Sequence, residues 1–413
     1  MRILIYWEQE SWGGVDTHLL ALLSSWPASG DAFVLFHNEG NQGFERIRPA
    51  LGKLENVRCI GVHSCSYNEL FRRLKGIPGY SVLRYATHFL SPILFVLMVW
   101  RLSRHFANEG KFDLLLADNG GYPAAWGCLS ALLAAKHARI ESRVLLVHHA
   151  ATKSTLFMGW FEHLVDRMVN RNASAVACVS YATRQTLLDH RMLSDESLRL
   201  RVIHNGIFAR PVGGENGEAG LDLRRAANCA DELLVGIVGR VEAYKGHEDI
   251  IFAMARLKDN QLLRLKLVVI GSGNYEELER LRRLTDKFAM GDRVSFLGYV
   301  PGDPTDLIAQ LDLLVVATRS FEGFGLTLAE AMHVGIPVLA TRVGAIPEFV
   351  DESTGMLVNP GSPREIAVAL NDFLVNRDVW HQRAACAKER VKGMGNQMAD
   401  EYHRLFIECI ADQ

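Results

Sequence analysis

The sequence predicts an α/β protein with two domains, each built on a parallel sheet. The chain has 413 residues, which at roughly 100–200 residues per domain is enough for two domains with separate cores. Short apolar runs typical of buried strands alternate with helical periods throughout. A segment at residues 204–220, HNGIFARPVGGENGEAG, is rich in glycine, proline and asparagine and predicts a linker between the two domains.

Apolar runs place five predicted strands in each half. They are expected at residues 2–6, 32–36, 114–117, 144–147 and 175–179, and again at 233–238, 265–270, 294–297, 313–317 and 337–340. Two Rossmann-like domains follow, at 1–208 and 209–390, with 391–413 as a C-terminal helix that crosses back to the first domain. Ligands of such sheets bind beyond the carboxyl ends of the strands, so functional residues are expected in the strand-to-helix loops.

Composition excludes several classes of protein. Apolar residues make up 49% and charged residues 22% of the chain, an ordinary globular balance. The net charge of −2 argues against a dedicated nucleic-acid binder. Seven cysteines without a C-x-x-C pair indicate reduced thiols, not a disulfide framework or a zinc site. We therefore expect a cytoplasmic protein with no nucleic-acid partner.

Charge is distributed unevenly along the chain. Residues 1–204 carry 22 Lys/Arg and 17 Asp/Glu, whereas the remainder carries 23 and 30. Residues 70–108 contain six Lys/Arg and no acid, interleaved with aromatic side chains. This pattern is typical either of a peripheral segment on an anionic membrane surface or of a core helix with basic ends, and the sequence leaves both open.

Apolar segments are too short for export or for membrane insertion. The N-terminal apolar run ends at Trp7, which is shorter than a signal-peptide core. The longest apolar stretch, residues 89–100 (FLSPILFVLMVW), is shorter than the ~20 residues that span a bilayer. We expect neither a signal peptide nor a transmembrane helix.

The most informative stretch is residues 320–348, SFEGFGLTLAEAMHVGIPVLATRVGAIPE. Glu322 follows a predicted strand, and Gly323-Phe324-Gly325 leads into a predicted helix that carries Glu330. Glycines let the backbone approach a ligand, and a helix N-terminus offers N–H groups to an anion. If the helix starts near Gly325, Glu330 lies about 7–8 Å along its axis, and two carboxylates so separated suit hydroxyl groups on different parts of one elongated ligand, such as the two sugars of a nucleotide sugar.

A pair of cations follows the first predicted strand of the second half. Gly239-Arg240 ends the strand, and Lys245-Gly246 precedes the next helix. Two cations beside a helix N-terminus are suited to bind a diphosphate. No Asp-x-Asp occurs in the chain, so we expect neither a metal nor another cofactor.

These two elements resemble the donor site of the retaining glycosyltransferases of family 4, also known as glycosyl transferases group 1. The family has the GT-B fold, in which two Rossmann-like domains face each other across a cleft for donor and acceptor. Further segments match in the expected order, at 12–15 (WGGV), 202–206 (VIHNG), 270–273 (IGSG), 296–300 (FLGYV) and 344–348 (GAIPE). The chain departs from the family at Thr318-Arg319, where Pro-Ser is common.

The resemblance implies roles in donor binding and catalysis for individual residues. Arg240 and Lys245 would hold the diphosphate, Glu322 the transferred sugar and Glu330 the ribose. A histidine at the end of a first-domain strand would lie near the donor sugar; His149 is preferred, although spacing does not separate it from His148. The implied donor-binding set also includes Gly13, Gly14, Gly239, Gly271, Gly273, Val300, Phe324, Gly325 and Leu326.

Acceptor candidates are residues at other strand ends of the first domain. They are His148, Asn119, Tyr122, Trp7 and Asp16. The implied reaction retains anomeric configuration by front-face attack, with the leaving diphosphate taking the acceptor proton and no protein nucleophile. The acceptor is expected to be a glycan, in particular a lipid-linked precursor of a cell-envelope polysaccharide or lipopolysaccharide.

Three other enzyme classes compete with this interpretation. A nucleotide-sugar epimerase or a phosphorylase would keep the same fold. An NAD(P) oxidoreductase would need G-x-G-x-x-G after a strand, but the first turn has only Gly13-Gly14, and the Gly271-x-Gly273 turn lacks the third glycine.

Overall fold

A computed structural model of the chain describes residues 1–9, 13–63, 89–195, 198–207 and 221–413. The chain divides into two compact units: Met1–Phe208 with Met394–Gln413, which we call the N-terminal unit, and Ala209–Gly393, the C-terminal unit. Most of the predicted linker falls on residues 208–220, which lie outside the described residues, as do residues 70–88 of the acid-free stretch.

The N-terminal unit is a seven-stranded sheet flanked by helices. All strand pairs are parallel, in the order β3-β2-β1-β4-β5-β6-β7. The strands are β1 (Arg2–Trp7), β2 (Ala32–Asn38), β3 (Val57–Val62), β4 (Leu114–Asn119), β5 (Ser142–Val147), β6 (Ala175–Cys178) and β7 (Arg199–Val202). The helices before the linker are α1 (Gly14–Ser24), α2 (Gln42–Leu51), α3 (Ser91–Asn108), α4 (Trp126–His137), α5 (Gly159–Asn172) and α6 (Tyr181–His190).

The C-terminal unit is built on a second parallel sheet, in the order β10-β9-β8-β11-β12-β13. Its strands are β8 (Leu233–Val238), β9 (Leu265–Ile270), β10 (Val294–Gly298), β11 (Leu313–Val316), β12 (Val338–Thr341) and β13 (Met356–Val358). Its helices are α7 (Leu223–Ala226), α8 (His247–Met254), α9 (Asp259–Leu262), α10 (Tyr275–Lys287), α11 (Pro304–Ile308), α12 (Leu326–Val334), α13 (Ile346–Phe349), α14 (Pro363–Val375) and α15 (Arg377–Val391).

The last helix, α16 (Met394–Ala411), packs in the N-terminal unit against α1 and β5. Tyr402 and Phe406 are fully buried there, and Trp26 lies against the Phe406 ring at 5.5 Å between ring centroids. The hydroxyl of Ser142 donates to the carbonyl oxygen of Cys409 at 2.7 Å. The N-terminal unit therefore completes its core with residues from the far end of the chain.

Both sheets bury both faces, which is why their strands are continuous apolar runs instead of alternating ones. The central strands β1, β4, β5 and β9 are almost entirely buried. Polar caps begin several helices: Asn41 accepts from the Phe44 N–H at 3.0 Å, and Asn274 from the Glu277 N–H at 2.7 Å. The predicted fold class, two Rossmann-like parallel-sheet domains, is confirmed.

All ten predicted strands occur, but three further strands had not been predicted. These are β3, β7 and β13, and each lies at an edge of its sheet. Edge strands are short or carry polar side chains, as in β7 with its sequence RLRV, so their hydrophobic pattern is weak. Among the described residues, no helix is long and apolar enough to cross a bilayer.

Candidate active site

The predicted donor-binding residues lie after four adjacent strands of the C-terminal unit. Their order in the sheet is β10, β9, β8, β11. Val300 follows β10, the 271–273 glycine turn follows β9, the Arg240–Lys245 loop follows β8, and Glu322 follows β11. Because the strands are parallel, all four loops lie at the carboxyl edge of one sheet, where ligands of such sheets bind.

Glycine is required where two of these loops touch. Gly271 has a positive φ of 143°, and a Cβ at this position would overlap the carbonyl oxygen of Gly239. A Cβ on Gly273 would overlap the carbonyl of Val241, whose N–H bonds the Ser272 carbonyl at 2.8 Å. The turns after β8 and β9 thus run in direct backbone contact.

Lys245 and Glu322 form the central ion pair of this edge. The Lys245 Nζ lies 2.7 Å from a carboxylate oxygen of Glu322, and the Thr318 hydroxyl donates to the same oxygen at 3.1 Å. Both charged side chains are partly exposed, at 24% and 14%. The pair therefore joins the loops after β8 and β11 while remaining accessible to a ligand.

Arg240 extends from the same loop towards solvent. Its guanidinium pairs with Glu242 at 2.8 Å and donates to the Tyr244 hydroxyl at 3.4 Å. Burial, together with the hydrogen bond to Glu242, raises the pKa of Tyr244 well above its ordinary value, so this phenol stays protonated. An anion that displaced Glu242 would meet a cation and a neutral donor side by side.

The glycine turn after Glu322 starts helix α12. Gly325 has φ 91° and caps the helix, so the N-terminal end of α12 lies next to Glu322. The Phe324 side chain is buried and stacks on Phe349, with ring centroids 5.0 Å apart, whereas Leu326 is half-buried in the first turn. Glu330 lies one turn further along α12 and is 94% buried.

Arg319, the position where the chain departs from the family pattern, ties this loop to helix α8. Its guanidinium makes two hydrogen bonds to Asp249, at 2.7 and 2.6 Å, and pairs with Glu248 at 2.5 Å. Its backbone N–H donates to the carbonyl of Tyr244 at 2.7 Å. This contact was not predicted from the sequence, although an arginine after one strand and two acids in the first turn of a helix after the neighbouring strand were its signal.

The predicted glycine pair of the N-terminal unit begins helix α1. Gly13 is its N-cap, and Gly14 is exposed at its first position. Asp16 accepts from the Gly13 N–H at 2.9 Å, pairs with Arg46 at 3.3 Å and is fully buried. Its contacts hold the turn together and leave no accessible carboxylate for an acceptor.

The structure separates the two neighbouring histidines after β5. His148 is buried, and its Nε2 lies 2.8 Å from Asp118, the penultimate residue of β4. Its ring also packs edge-on against buried His18 at 4.6 Å. His149, in contrast, is exposed. The sequence analysis missed Asp118, which adjacent parallel strands place at the same sheet edge as His148.

Three other acceptor candidates lie in the protein interior. Tyr122 is buried and donates its hydroxyl to Asp166 at 2.8 Å, and Trp7 is buried with its indole N–H on Gln9 at 3.1 Å. Asn119 is buried and accepts from the Ala125 N–H at 3.2 Å. A role for these residues in acceptor binding stays a prediction, because strand-end position alone does not indicate which way a side chain points.

The part of the chain that the structure describes contains no cluster of metal-binding side chains. Within those residues, no three His, Cys, Asp or Glu side chains converge as metal ligands do. The six cysteines in the same ranges are all free thiols.

Two parallel sheets, one with paired charges and glycine turns at its carboxyl edge, are typical of glycosyltransferases of the GT-B class. Family comparison agrees for both units. The model described as Glycosyltransferase Family 4 matches residues 12–209, and the model described as Glycosyl transferases group 1 matches residues 223–391. The chain belongs to this family of glycosyltransferases.

Individual relatives match over part of their length. The D-inositol 3-phosphate glycosyltransferase of Corynebacterium glutamicum is 32% identical over 260 residues, 61% of this chain and 60% of that protein. The GDP-mannose-dependent alpha-(1-6)-phosphatidylinositol monomannoside mannosyltransferase of Mycobacterium tuberculosis is 29% identical over 178 residues, 41% of this chain and 46% of that protein. The chain thus aligns with about half the length of these curated relatives.

Solved structures agree over the whole chain. HepE of Anabaena, crystallised with UDP-glucose, superposes with a TM-score of 0.72 at 19% identity and covers 100% of both chains. At that identity the match establishes the fold and nothing further.

Proposed function

We propose that the protein is a retaining, metal-independent glycosyltransferase that moves a sugar from a nucleotide-sugar donor to a glycan acceptor carried on a lipid. The observation that carries this proposal is the Lys245–Glu322 pair, 2.7 Å apart, beside Arg240 at the carboxyl edge of a parallel sheet. HepE, a structural neighbour, was solved with UDP-glucose, which makes uridine diphosphate sugars the first donors to test.

Donor binding exchanges one set of charge pairs for another in this mechanism. The diphosphate oxygens take the place of Glu322 as the partner of Lys245, and the place of Glu242 as the partner of Arg240. The N-terminal end of α12 faces the same anion. The released Glu322 accepts hydroxyl hydrogen bonds from the transferred sugar. Glu330, buried on α12, accepts from the ribose hydroxyls, and the base lies against the backbone near Val300.

Bond cleavage places negative charge on the leaving diphosphate, where Arg240 and Lys245 stabilise it in the role a metal ion has in other enzymes. The acceptor hydroxyl attacks the anomeric carbon from the face that the diphosphate leaves, and its proton passes to a diphosphate oxygen. By the resemblance to the family, His149 is the histidine near the donor sugar. The neighbouring His148–Asp118 pair, 2.8 Å apart, fixes the turn that carries His149.

A lipid-linked acceptor would keep the enzyme at the inner face of the cytoplasmic membrane. Two features support this localisation: the acid-free composition of residues 70–108, and the phosphatidylinositol monomannoside named as substrate of the mycobacterial relative. Biosynthesis of cell-envelope polysaccharide or lipopolysaccharide is the pathway class that uses such acceptors.

A nucleotide panel tests the donor half of this proposal. UDP, GDP, ADP and dTDP are compared by thermal shift, because a ligand at 100 times its Kd stabilises a protein by about 2.7 kcal/mol. The best nucleotide then selects the nucleotide sugars for assays of transfer and of product anomer by NMR. An inverted product, no nucleotide response, or a loss of activity of about tenfold with EDTA would each contradict the mechanism.

A further inference from the structure

The N-terminal unit exposes apolar side chains on one face of two helices. On α3 the exposed residues recur at helical spacing, as Ile93, Leu97 and Trp100 do. On α5 the corresponding residues are Trp160 and Leu164, preceded in the connecting loop by Phe157, which is 79% exposed. We call this set of side chains the apolar face.

The two helices are joined by a cluster of aromatic side chains. Phe95 of α3 contacts Phe161 of α5, with ring centroids 5.8 Å apart. Both rings also contact Trp126 at the start of α4, where Phe161 stacks on the indole at 5.3 Å. The inward faces of α3 and α5 therefore pack into one aromatic cluster at the start of α4, and the exposed residues of both helices lie outside that cluster.

Charges of opposite sign are separated between the inside and the outside of these helices. The sequence of α3 has no acid, and α5 has two, Glu162 and Asp166. Both are buried in a network with buried Arg191, whose guanidinium lies 2.7 Å from Glu162 and 3.0 Å from Asp166. The outward charges of α3 and α5 are consequently all positive.

Cations flank the apolar residues on both helices. Exposed Arg104 lies over the ring of Trp100, 3.9 Å from its centroid. On α5, exposed Arg167 follows Trp160 by seven residues and Leu164 by three, so it shares their face. Each helix thus exposes aliphatic and aromatic side chains with an arginine next to them.

We propose that the apolar face is a docking surface for an anionic lipid bilayer, on which α3 and α5 lie in the interface with their arginines on lipid phosphates. This inference rests on the proposed lipid-linked acceptor and names the surface that meets it. Apolar side chains flanked by arginines, with no acid on the outward side, suit the boundary between the headgroups and the acyl chains of a bilayer. The apolar side chains would contact the acyl chains, and the arginines would bind the anionic headgroups. A second protein chain would need acids of its own opposite Arg104 and Arg167.

The test uses the full-length protein and vesicles, without donor or acceptor. Vesicles of phosphatidylglycerol and phosphatidylcholine in equal parts should sediment the wild type at low salt, and vesicles of phosphatidylcholine alone should sediment less of it. Two double variants separate the contributions: Trp160→Gln with Leu164→Gln, and Arg104→Glu with Arg167→Glu. Each should lower the bound fraction at least about fivefold, and salt at about 1 M should weaken only the electrostatic part.

Matched controls come from the C-terminal unit. Val375→Gln removes an exposed apolar side chain from α14, and Arg283→Glu reverses an exposed charge on α10; both should bind vesicles as the wild type does. Wild type that ignores anionic vesicles, or double variants that bind equally well, would overturn the proposal. A dimer in light scattering that the Trp160/Leu164 variant dissociates would also overturn it, because a second copy would then cover the face. None of these readouts depends on glycosyl transfer.

A second inference rests on the contacts of Arg319. We propose that Arg319 is a positioning residue that holds Glu322 in register with Lys245. Its guanidinium binds Asp249 and Glu248 in the first turn of α8, the helix that Lys245 and Gly246 precede. Gly246 adds a close approach, since a Cβ there would overlap the carbonyl of Ala317.

The charges around this contact reinforce one another. Burial acts to raise the pKa of Glu248, but hydrogen bonds from Arg280 and Arg319 outweigh it and hold that pKa below its ordinary value. The hydrogen bond to Asp249 is the main cause that raises the pKa of Arg319. The contact therefore stays ionised at both ends over the working range of pH.

Arg319→Ala should lower kcat about tenfold, because a misplaced catalytic group loses rate before it loses binding. The Kd of the most stabilising nucleotide, set by Glu330 and the base segment, should stay the same. Arg319→Lys should restore part of the rate, and Arg282→Ala, which removes an exposed ion pair with Glu279 on α10, should not change it.

Hydrogen exchange supplies a readout that needs no turnover. In the free enzyme, Arg319→Ala should raise amide exchange at residues 318–325 and leave residues 279–287 unchanged. Unchanged exchange in that loop, an unchanged kcat, or a lower Tm with full kcat would each overturn the positioning role. Failure of the proposed function is distinct, since it would appear as an inactive wild type.

Discussion

The two units use the carboxyl edges of their sheets in different ways. In the C-terminal unit the central predicted residues, Lys245 and Glu322, are charged, partly exposed and paired with each other. In the N-terminal unit most of the predicted residues are internal, as Asp16 and Tyr122 are, with their polar atoms already bonded to the protein. A ligand can replace an exposed ion pair, whereas a buried hydrogen bond serves the fold.

This difference separates two kinds of sequence signal. Charged residues next to glycine turns identify a ligand-binding edge, because an unpaired charge is tolerated only near solvent or a ligand. Polar residues selected only because they follow a strand do not identify such an edge, since a polar side chain at the same position can also cap a helix or make a hydrogen bond in the core. The comparison predicts that substitutions at the exposed ion pair of the C-terminal unit change kinetics and that substitutions at the buried polar residues of the N-terminal unit change stability.

Lys245→Ala should have the largest effect. Loss of a cation that stabilises the leaving diphosphate should lower kcat/KM by at least about a hundredfold, roughly 3 kcal/mol, with little change in Tm because the Thr318 hydroxyl still binds Glu322. Steady-state kinetics measure this, with the exposed Lys258→Ala as the control. A variant that keeps more than about half of the wild-type rate would remove the diphosphate role.

Tyr122→Phe should change stability and leave transfer intact. The lost hydroxyl donates to buried Asp166, and a hydrogen bond to a charged group contributes about 2 kcal/mol. Urea denaturation measures the free energy of unfolding. Tyr181→Phe, at an exposed tyrosine of the same unit, is the control. A loss of activity without a loss of stability would support Tyr122 as an acceptor contact and contradict the comparison.

Glu330→Ala should raise the donor KM about tenfold, or 1.4 kcal/mol, and lower kcat less. Ribose is held equally in the ground and transition states, so its loss weakens binding uniformly. Glu322→Ala should give the reverse pattern, because the sugar it contacts is the one that changes charge. Two variants with the same pattern would contradict separate roles for these carboxylates.

Acid should destabilise both units alike, because each contains a buried neutral histidine. Burial lowers the pKa of His247 to about 4 and that of His18 well below its usual value. Between pH 6.5 and about 4 the unfolded chain binds protons that these folded histidines refuse, so the free energy of unfolding falls as the pH falls. The slope is at most about 1.4 kcal/mol per pH unit for each histidine.

Urea midpoints at several pH values measure this slope. His247→Gln should reduce the pH dependence of the free energy of unfolding of the C-terminal unit. The substitution His381→Gln, at an exposed histidine, should leave that dependence unchanged. An equal slope in wild type and His247→Gln would mean that other groups, such as carboxylates, set the acid response.

Sequence predicted the sheets well and the site unevenly. Central strands such as β1 and β9 are buried on both faces, so their apolar runs are unmistakable, whereas edge strands such as β7 expose charged side chains. The loop charges of the C-terminal unit were found because glycines mark their turns. Asp118 and Arg319 were missed because their partners lie 30 and 70 residues away in sequence, and only the order of strands in the sheet brings them together.

The return of α16 to the N-terminal unit has a consequence for synthesis of the protein. Residues 1–208 emerge from the ribosome long before Tyr402 and Phe406, which are buried in the same core, have been synthesised. The C-terminal unit is continuous in sequence, so all of its residues have been synthesised while the N-terminal unit still lacks helix α16. Nascent chains must therefore hold an open apolar surface until residues 394–413 emerge, and a chain truncated before residue 394 would leave that surface exposed.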